Sequence, residues 1–194
     1  TWNYRLVGLL ACIAAATGFW SLIRIDGVDG DFVSEYHWRW TPTAEAKFMA
    51  EKKEERNKLG DEVKLVKPAD VKVKPGDWAA FRGPNRDSRV QDVMIGTDWK
   101  NNPPKVLWKH RIGPGWSSFA VVGNQLYTQE QRDEDEMVVC YNADTGAEVW
   151  SYAVPTRFTE AIAGAGPRAT PTYHEGKIFS QGANGHLICL DAFT

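Results

Sequence analysis

The C-terminal half of the chain alternates apolar and polar positions in short runs, a pattern typical of β-strands with one buried face. Four of these runs lie close together, separated by turns rich in Gly, Asn and Asp: residues 120–122, 125–127, 137–140 and 148–150. Short turns between successive strands favour antiparallel pairing. The pattern therefore predicts four short antiparallel strands in one sheet.

The N-terminal segment has a different pattern, a continuous apolar run. Residues 6–23 carry no charge and are flanked by Arg5 and Arg24. A helix of about 18 residues spans roughly 27 Å, close to the thickness of the hydrocarbon core of a bilayer. We therefore predict a transmembrane segment within residues 1–25. Asp26, Asp29 and Asp31 follow the run with Arg24 as the single positive residue, and Arg5 lies on the other side. The chain after the run is therefore expected on the periplasmic or extracellular side.

Three other interpretations of this run stay open. The small residues at 14–16 would suit a cleaved signal peptide, although the apolar run continues beyond them. The stretch 9–12 approximates a lipoprotein signal, but the residues that follow Cys12 are apolar rather than polar. A buried core helix would have the same composition.

Residues 26–76 are expected to be a linker that contains one helix. Thr41 and Pro42 suit the N-cap and the first helical position, and Gly60 suits the C-cap, so the helix is predicted over about 42–59. Its charges predict a solvated spacer helix, or one that docks weakly, rather than a nucleic-acid surface. The Val/Lys alternation after it, interrupted by Pro, predicts an extended linker.

Two stretches of the C-terminal half repeat each other at an interval of about 50 residues, which is typical of β-propeller blades. Tyr127 aligns with Phe179, and Cys140 aligns with Cys189. Equivalent positions in stacked sheets lie about 10 Å apart, too far for a disulfide, so we expect no bond between these cysteines. The thiols are expected to be buried, as the positions of cysteines in apolar strands suggest.

The stretch YNADTGAEVW at 141–150 resembles the LDAxTGxxxW signature of pyrroloquinoline-quinone (PQQ) propeller repeats. The repeat-motif positions are Asn142, Ala143, Thr145, Gly146 and Trp150, with Trp108 ending a preceding copy and Asp191 beginning the next. Residues 77–87 are similar to a leader found before many of these propellers, with Ala79 and Ser88 as departures, and we interpret it as a cap.

The resemblance implies an all-β fold, a β-propeller of four-stranded blades over residues 77–194, preceded by the transmembrane helix and the charged linker helix. In that family the Trp of each repeat packs against the neighbouring blade. The chain stops inside a motif, so we expect a fragment with an incomplete propeller.

The family contains two classes of protein, and the repeat motif does not distinguish them. Some members are scaffolds, such as an outer-membrane assembly lipoprotein, whose propellers bind partner proteins. Others are quinoprotein dehydrogenases that hold PQQ, usually with Ca²⁺, between a Trp and a disulfide of adjacent cysteines. No adjacent cysteines occur in this sequence. We expect a membrane-anchored binding or scaffold module, with a PQQ-dependent, alcohol dehydrogenase-like oxidoreductase as the alternative.

No catalytic set can be read from the sequence, and the site residues are correspondingly few. Loops at 113–118 and 164–169 precede strands, where propellers place axial loops, so Trp116 and Arg168 are the candidate cofactor-binding residues; packing at the blade entry is the alternative for both. No metal-ligand spacing is present. The net charge of −2 gives no reason to expect nucleic acid, and the expected partners are the membrane and other proteins.

Overall fold

A computed structural model describes residues 2–28, 31, 33–59, 72–91, 93–160 and 162–193 of the 194-residue chain. Its helices are α1 (Trp2–Ser21) and α2 (Ala44–Leu59). Its strands are β1 (Ile23–Val28), β2 (Ser34–Trp38), β3 (Ala120–Val122), β4 (Gln125–Arg132), β5 (Asp135–Asn142), β6 (Glu148–Val154), β7 (Thr159–Glu160), β8 (Gly164–Ala165), β9 (Thr172–His174), β10 (Lys177–Gln181) and β11 (Leu187–Asp191). The helix end predicted at Gly60, residues 60–71 of the predicted extended linker, and Thr194 lie outside the described residues.

α1 is an apolar helix that is followed directly by a β-hairpin. None of its residues is buried, and it is long and apolar enough to cross a membrane, a test that a signal sequence also passes. β1 and β2 pair antiparallel, with Ile23 opposite Trp38 and Ile25 opposite Tyr36. The apolar run is thus a helix, and its placement in a membrane stays a prediction.

The first sheet has four antiparallel strands in the order β3-β4-β5-β6. Its faces follow from the strand register: Tyr127 lies opposite Cys140, and Cys140 lies opposite Trp150, so these three side chains share one face. Tyr141 and Glu148 lie opposite each other on the other face. All four runs predicted from the sequence lie in these strands, so that prediction is confirmed.

A β-bulge between β5 and β6 changes the alternation of β6. The register shifts between Cys140 and Tyr141. Glu148 and Trp150 are two positions apart and would share a face in a regular strand. Because of the extra residue, Val149, they lie opposite residues on different faces instead.

The second sheet has three antiparallel strands in the order β11-β10-β9 and packs on the Tyr127 face of the first sheet. The core between the sheets consists of Ala120, Val122, Tyr127, Val138, Cys140, Trp150, Tyr173, Ile178 and Ala192. On the face of the second sheet that points away from the first sheet, Phe179 and Leu187 are 40% and 75% exposed. β7 and β8 form a separate pair, and none of the described sheets is closed. This arrangement is consistent with part of a β-propeller.

The segment that resembles a propeller leader ties the two sheets together. Trp78 exchanges two backbone hydrogen bonds with Val121 of β3, each 2.8 Å long. The Ala79 carbonyl accepts a hydrogen bond of 2.8 Å from the backbone N–H of Tyr173 in β9. The leader therefore joins the first strand of one sheet to the first strand of the other.

α2 begins later than the sequence suggested. The predicted N-cap at Thr41 is wrong, because the Thr43 hydroxyl accepts a hydrogen bond of 3.0 Å from the backbone N–H of Ala46. The Thr43 carbonyl also accepts the first helical bond, from Lys47 at 3.0 Å. Pro42 thus precedes the cap instead of occupying the first helical position.

α2 is docked on the first sheet. The Phe48 side chain is 1% exposed, and the Arg132 guanidinium lies 5.6 Å from the centre of its ring. The Glu45 carboxylate accepts two hydrogen bonds from Arg157, each 2.9 Å long. Of the two alternatives predicted for this charged helix, a solvated spacer is wrong and a docked helix is observed, because one aromatic ring and an ion pair fix it to the sheet.

The three cysteines are free thiols in different surroundings. Cys140 is buried between the sheets, whereas Cys189 is exposed on the far face of the second sheet and Cys12 is exposed on α1. The prediction that Cys140 and Cys189 are not bonded is confirmed. The expectation that cysteines in apolar strands are buried is confirmed for Cys140 and wrong for Cys189, because the side chain of Cys189 has no packed sheet in front of it.

Candidate functional site

The repeat motif builds a self-bonded turn between β5 and β6. The Asn142 side-chain oxygen accepts hydrogen bonds from the backbone N–H groups of Asp144 and Thr145, both at 3.0 Å, and from the Thr145 hydroxyl at 3.1 Å. Gly146 has φ 71°, and a Cβ there would lie 2.7 Å from the Trp108 ring. The motif thus requires Asn, Thr and Gly for the shape of the turn.

Each repeat Trp donates to the motif Ala of the following repeat. The Trp108 indole N–H donates to the Ala143 carbonyl at 2.8 Å, and the Trp150 indole N–H donates to the Ala192 carbonyl at 3.1 Å. Asp191 also copies the Asn142 turn, because its carboxylate accepts the backbone N–H of Phe193 at 2.9 Å. Trp108 makes this contact from a segment that is not a strand. The motif residues therefore act in packing between repeats.

The two loops proposed from the sequence meet in what we call the loop cluster, residues 113–118 together with 162–168. The Trp116 backbone N–H donates to the Pro167 carbonyl at 2.8 Å, and its indole N–H donates to the Ala163 carbonyl at 2.7 Å. Gly166, with φ 96°, packs directly against the backbone of Pro114, and a Cβ at this position would lie 2.2 Å from the Pro114 carbonyl oxygen. The loop cluster is therefore tightly joined, yet the Trp116 side chain is 61% exposed.

Arg168 braces the loop cluster from inside. Its guanidinium donates to the carbonyls of Gly166 and Gly164 at 2.9 and 3.0 Å and to the Glu160 carboxylate at 2.9 Å. Its other surface lies 5.2 Å from the centre of the Phe158 ring. Three of the five N–H donors are thus used by two carbonyls of the loop cluster and by Glu160 of β7.

These residues do not provide a cradle for PQQ as they are placed. The cofactor carries carboxylates, and the guanidinium that would bind them is already paired with Glu160 and two backbone carbonyls. Within the described parts of the chain, no group of three or more His, Cys, Asp or Glu side chains could hold a metal ion. The assignment of Trp116 and Arg168 to a cofactor stays a prediction from the resemblance.

Sequence reasoning missed a partly buried polar cluster beneath α2, which we call the outer cluster: Lys52, Glu130, Arg132, Tyr141 and Glu148. Arg132 donates to Glu130 at 2.6 Å and to Glu148 at 2.9 Å. The Tyr141 hydroxyl donates to Glu130 at 3.1 Å, and the Lys52 ammonium lies 3.2 Å from Glu148. The register of β4, β5 and β6 explains the cluster, because it places these strand residues on one face.

The charges of the outer cluster stabilise one another. Burial alone would lower the pKa of Arg132, but the carboxylates of Glu130 and Glu148 raise it overall. Burial alone would raise the pKa of Glu148, but the Arg132 guanidinium lowers it overall. Burial raises the pKa of the Tyr141 hydroxyl, which therefore stays protonated and donates its hydrogen bond to Glu130.

The charged segment 132–136 forms the tip of the hairpin of β4 and β5, and only its centre is exposed. Asp133 and Glu134 are exposed, whereas Glu136 is 3% exposed and faces the second sheet. Its carboxylate accepts the backbone N–H of Ala183 at 3.1 Å. Burial raises the pKa of Glu136, although the Ala183 N–H opposes this shift. The pairing of β4 with β5 up to Arg132 and Asp135 explains why so few residues remain in the turn.

Comparisons with known proteins agree with this arrangement. A family model described as outer membrane protein assembly factor BamB, of the PQQ-repeat type, matches residues 99–194. Neither the comparison with curated proteins nor the comparison with solved structures found a match. The matched range contains both sheets, the loop cluster and both Trp-to-Ala hydrogen bonds. The chain is therefore a PQQ-like repeat protein, with its repeats in residues 99–194.

Proposed function

We propose that this chain is a membrane-anchored, extracytoplasmic binding or scaffold module. Its repeats form part of a β-propeller, and its loop cluster contacts a partner protein. The observation that carries the proposal is the Trp116 ring, which is 61% exposed although its backbone and indole N–H groups are both bonded within the loop cluster. A rigidly held, exposed aromatic ring is a frequent anchor of protein–protein contacts.

Further features support a contact surface at this position. Ile162, next to the carbonyl that holds the Trp116 indole, is 66% exposed and adds apolar area. The Arg168 brace keeps the loop shape in the absence of a partner, which lowers the entropy lost on binding. The matching family is named for a factor in outer membrane protein assembly, and a role among other proteins outside the cytoplasm agrees with that name.

Site-specific photo-crosslinking tests the contact. A benzophenone side chain at position 116 of the full chain, expressed in intact cells, should give a discrete covalent adduct that mass spectrometry identifies as one protein. The matched control is position 99, since Trp99 is 58% exposed and lies outside the loop cluster. Adducts at both positions alike, or at neither, would remove the support for a partner site at Trp116.

The alternative activity and the topology need separate measurements. Purified full chain incubated with PQQ and Ca²⁺ should not reduce a redox dye when alcohols are added; reduction would replace the scaffold proposal with an oxidoreductase. A reporter that is active only in the cytoplasm, fused after Asp31, should be silent. Strong reporter activity would place the repeats on the cytoplasmic side and contradict the extracytoplasmic assignment.

A further inference from the structure

The hairpin of β1 and β2 is amphipathic. Its apolar face, fixed by the strand register, consists of Ile23, Ile25, Tyr36 and Trp38. Arg24 and His37 lie opposite each other on the other face, and Asp26 pairs with both, at 3.0 Å from the His37 Nδ1. The hairpin therefore separates aromatic and aliphatic groups from a polar triad.

The apolar face of the hairpin is largely uncovered. Ile25 is 57% exposed, Tyr36 56% and Trp38 43%. Trp40, which is 66% exposed, stacks on Trp38 with ring centres 5.1 Å apart and planes 6° from parallel. A continuous aromatic surface of this kind marks an interaction site, because leaving it in water is unfavourable.

The same aromatic groups contact the last turn of α1. Phe19 lies 6.1 Å from Trp38, and Trp20 lies 6.3 Å from Tyr36, both edge to face. The Arg39 side chain donates to the carbonyl of Ser21, the final residue of the helix, at 2.5 Å. The hairpin is therefore attached to the end of the apolar helix, at the level where a spanning helix would leave the hydrocarbon.

We propose that this hairpin lies in the headgroup interface of the bilayer, with Tyr36, Trp38 and Trp40 inserted beside the end of α1. Tyr and Trp favour this zone, since their rings are apolar and their N–H or O–H groups stay hydrated. The charges of Arg24 and Asp26 offset each other, so this pair gives no excess of positive charge to attract anionic lipid. The inference rests on the membrane anchor of the proposed function, and its ligand is the interface of neutral phospholipid.

Depth-dependent quenching tests the inference. The full chain is reconstituted into phosphatidylcholine vesicles whose acyl chains carry bromine close to the headgroup, and Trp emission is compared with that in unlabelled vesicles. In the Trp38→Phe/Trp40→Phe variant the quenched part of the emission should fall by about half, because Trp2 and Trp20 of α1 remain near the two interfaces. The matched control, Trp99→Phe/Trp116→Phe, removes two exposed rings of the repeat region and should leave the quenched part unchanged.

A second variant keeps every Trp in place. Ile25→Asn puts an amide on the apolar face and should reduce quenching by the brominated lipid while increasing quenching by aqueous acrylamide. Vesicles that contain phosphatidylglycerol should give the same result as pure phosphatidylcholine. Quenching that requires the anionic lipid would overturn the inference.

Flotation of the vesicles distinguishes insertion of the hairpin from anchoring of the chain by α1. Chains that float after a high-pH wash, with equal quenching in the wild type and the Trp38→Phe/Trp40→Phe variant, would overturn the hairpin insertion and leave the anchor intact. Chains that do not float would overturn both. Protection of these rings from acrylamide by a membrane protein extract, with no effect of pure lipid, would assign the surface to a protein partner and overturn the lipid assignment.

Discussion

The two sheets carry related residues at equivalent positions with opposite exposure. In the first sheet Tyr127 and Cys140 are both 0% exposed, because the second sheet packs on them. Their equivalents Phe179 and Cys189 lie opposite each other on the far face of the second sheet, and both are exposed. Burial in this chain thus depends on the presence of a neighbour rather than on the repeat itself.

The difference between the faces of the two sheets also explains where α2 lies. The second sheet uses one face to contact the first sheet, with Ile188 and Leu190 packed against the shared core. The corresponding face of the first sheet carries Tyr141 and the outer cluster, and it is covered by α2 through Phe48. The helix occupies, on the first sheet, the side that a preceding repeat would occupy.

The largest expected effect is the difference between equivalent aromatic positions. Tyr127→Ala should lower the free energy of unfolding by about 3–5 kcal/mol, because it removes a fully buried ring from the inter-sheet core. Phe179→Ala, its counterpart on the far face, should cost less than about 1 kcal/mol. Chemical denaturation of the full chain in detergent measures both free energies. Equal losses would mean that the far face of the second sheet is as well covered as the inter-sheet core.

The docking of α2 gives the next effect. Phe48→Ala should destabilise the contact with the first sheet by about 3 kcal/mol, since this ring is the buried apolar anchor of the helix. Hydrogen exchange of α2 should become faster, whereas Lys47→Ala, an exposed neighbour on the same helix, should leave it unchanged. Slow exchange in the Phe48 variant would mean that the ion pairs alone hold α2.

The loop cluster offers a matched pair of glycines. Gly164→Ala and Gly166→Ala both place a side chain at positive φ, but the first meets open space and the second meets the Pro114 carbonyl. Gly166→Ala should therefore lower stability by about 1–3 kcal/mol more than Gly164→Ala. The two melting curves should differ in this direction; coincident curves would show that the loops of the two repeats are not coupled.

Glu136, which is buried, and Glu148, which is partly buried, should give small pH effects of opposite sign. Because burial raises the pKa of Glu136, its contribution is complete below the ordinary glutamate range and is lost as the pH rises through the raised value. Although burial opposes it, Arg132 lowers the pKa of Glu148, so that contribution is present above the ordinary range and is lost as the pH falls. Denaturation of Glu136→Gln and Glu148→Gln across pH 3–8 should remove slopes of opposite direction; slopes of one sign would contradict the assignment.

Local patterns predicted the local parts of the fold. The alternation of apolar and polar residues at 120–122 and 148–150 correctly predicted two strands of the first sheet. The Asn-x-x-Thr-Gly turn identified the repeat. The sequence left the docking of α2 open and could not indicate where it docks, since its ion pair joins Glu45 to Arg157 across 112 residues and its apolar anchor is one ring in a charged helix. The pairing of charges over that distance has no periodic signature.

The candidate site was predicted only in its location. Glycine-rich loops drew attention to Trp116 and Arg168, and the structure brings both into one cluster. Their partners are mostly backbone carbonyls, such as those of Ala163 and Gly164. Because every residue has a backbone carbonyl, the sequence cannot show which of them accepts a hydrogen bond. The outer cluster was missed for a related reason: Arg132 and Glu148 share a face only because of the bulge at Val149.

The bulge decides which face each of two motif positions takes. In a regular strand, Glu148 would follow Trp150 into the inter-sheet core and bring a carboxylate against Tyr127. A deletion of Val149 would remove the bulge and make Glu148 and Trp150 neighbours, which then lie on opposite faces by the ordinary alternation of a strand. The bulge and the extra residue therefore offset each other, so a copy of the repeat that lacks both can still present its Trp to the neighbouring sheet.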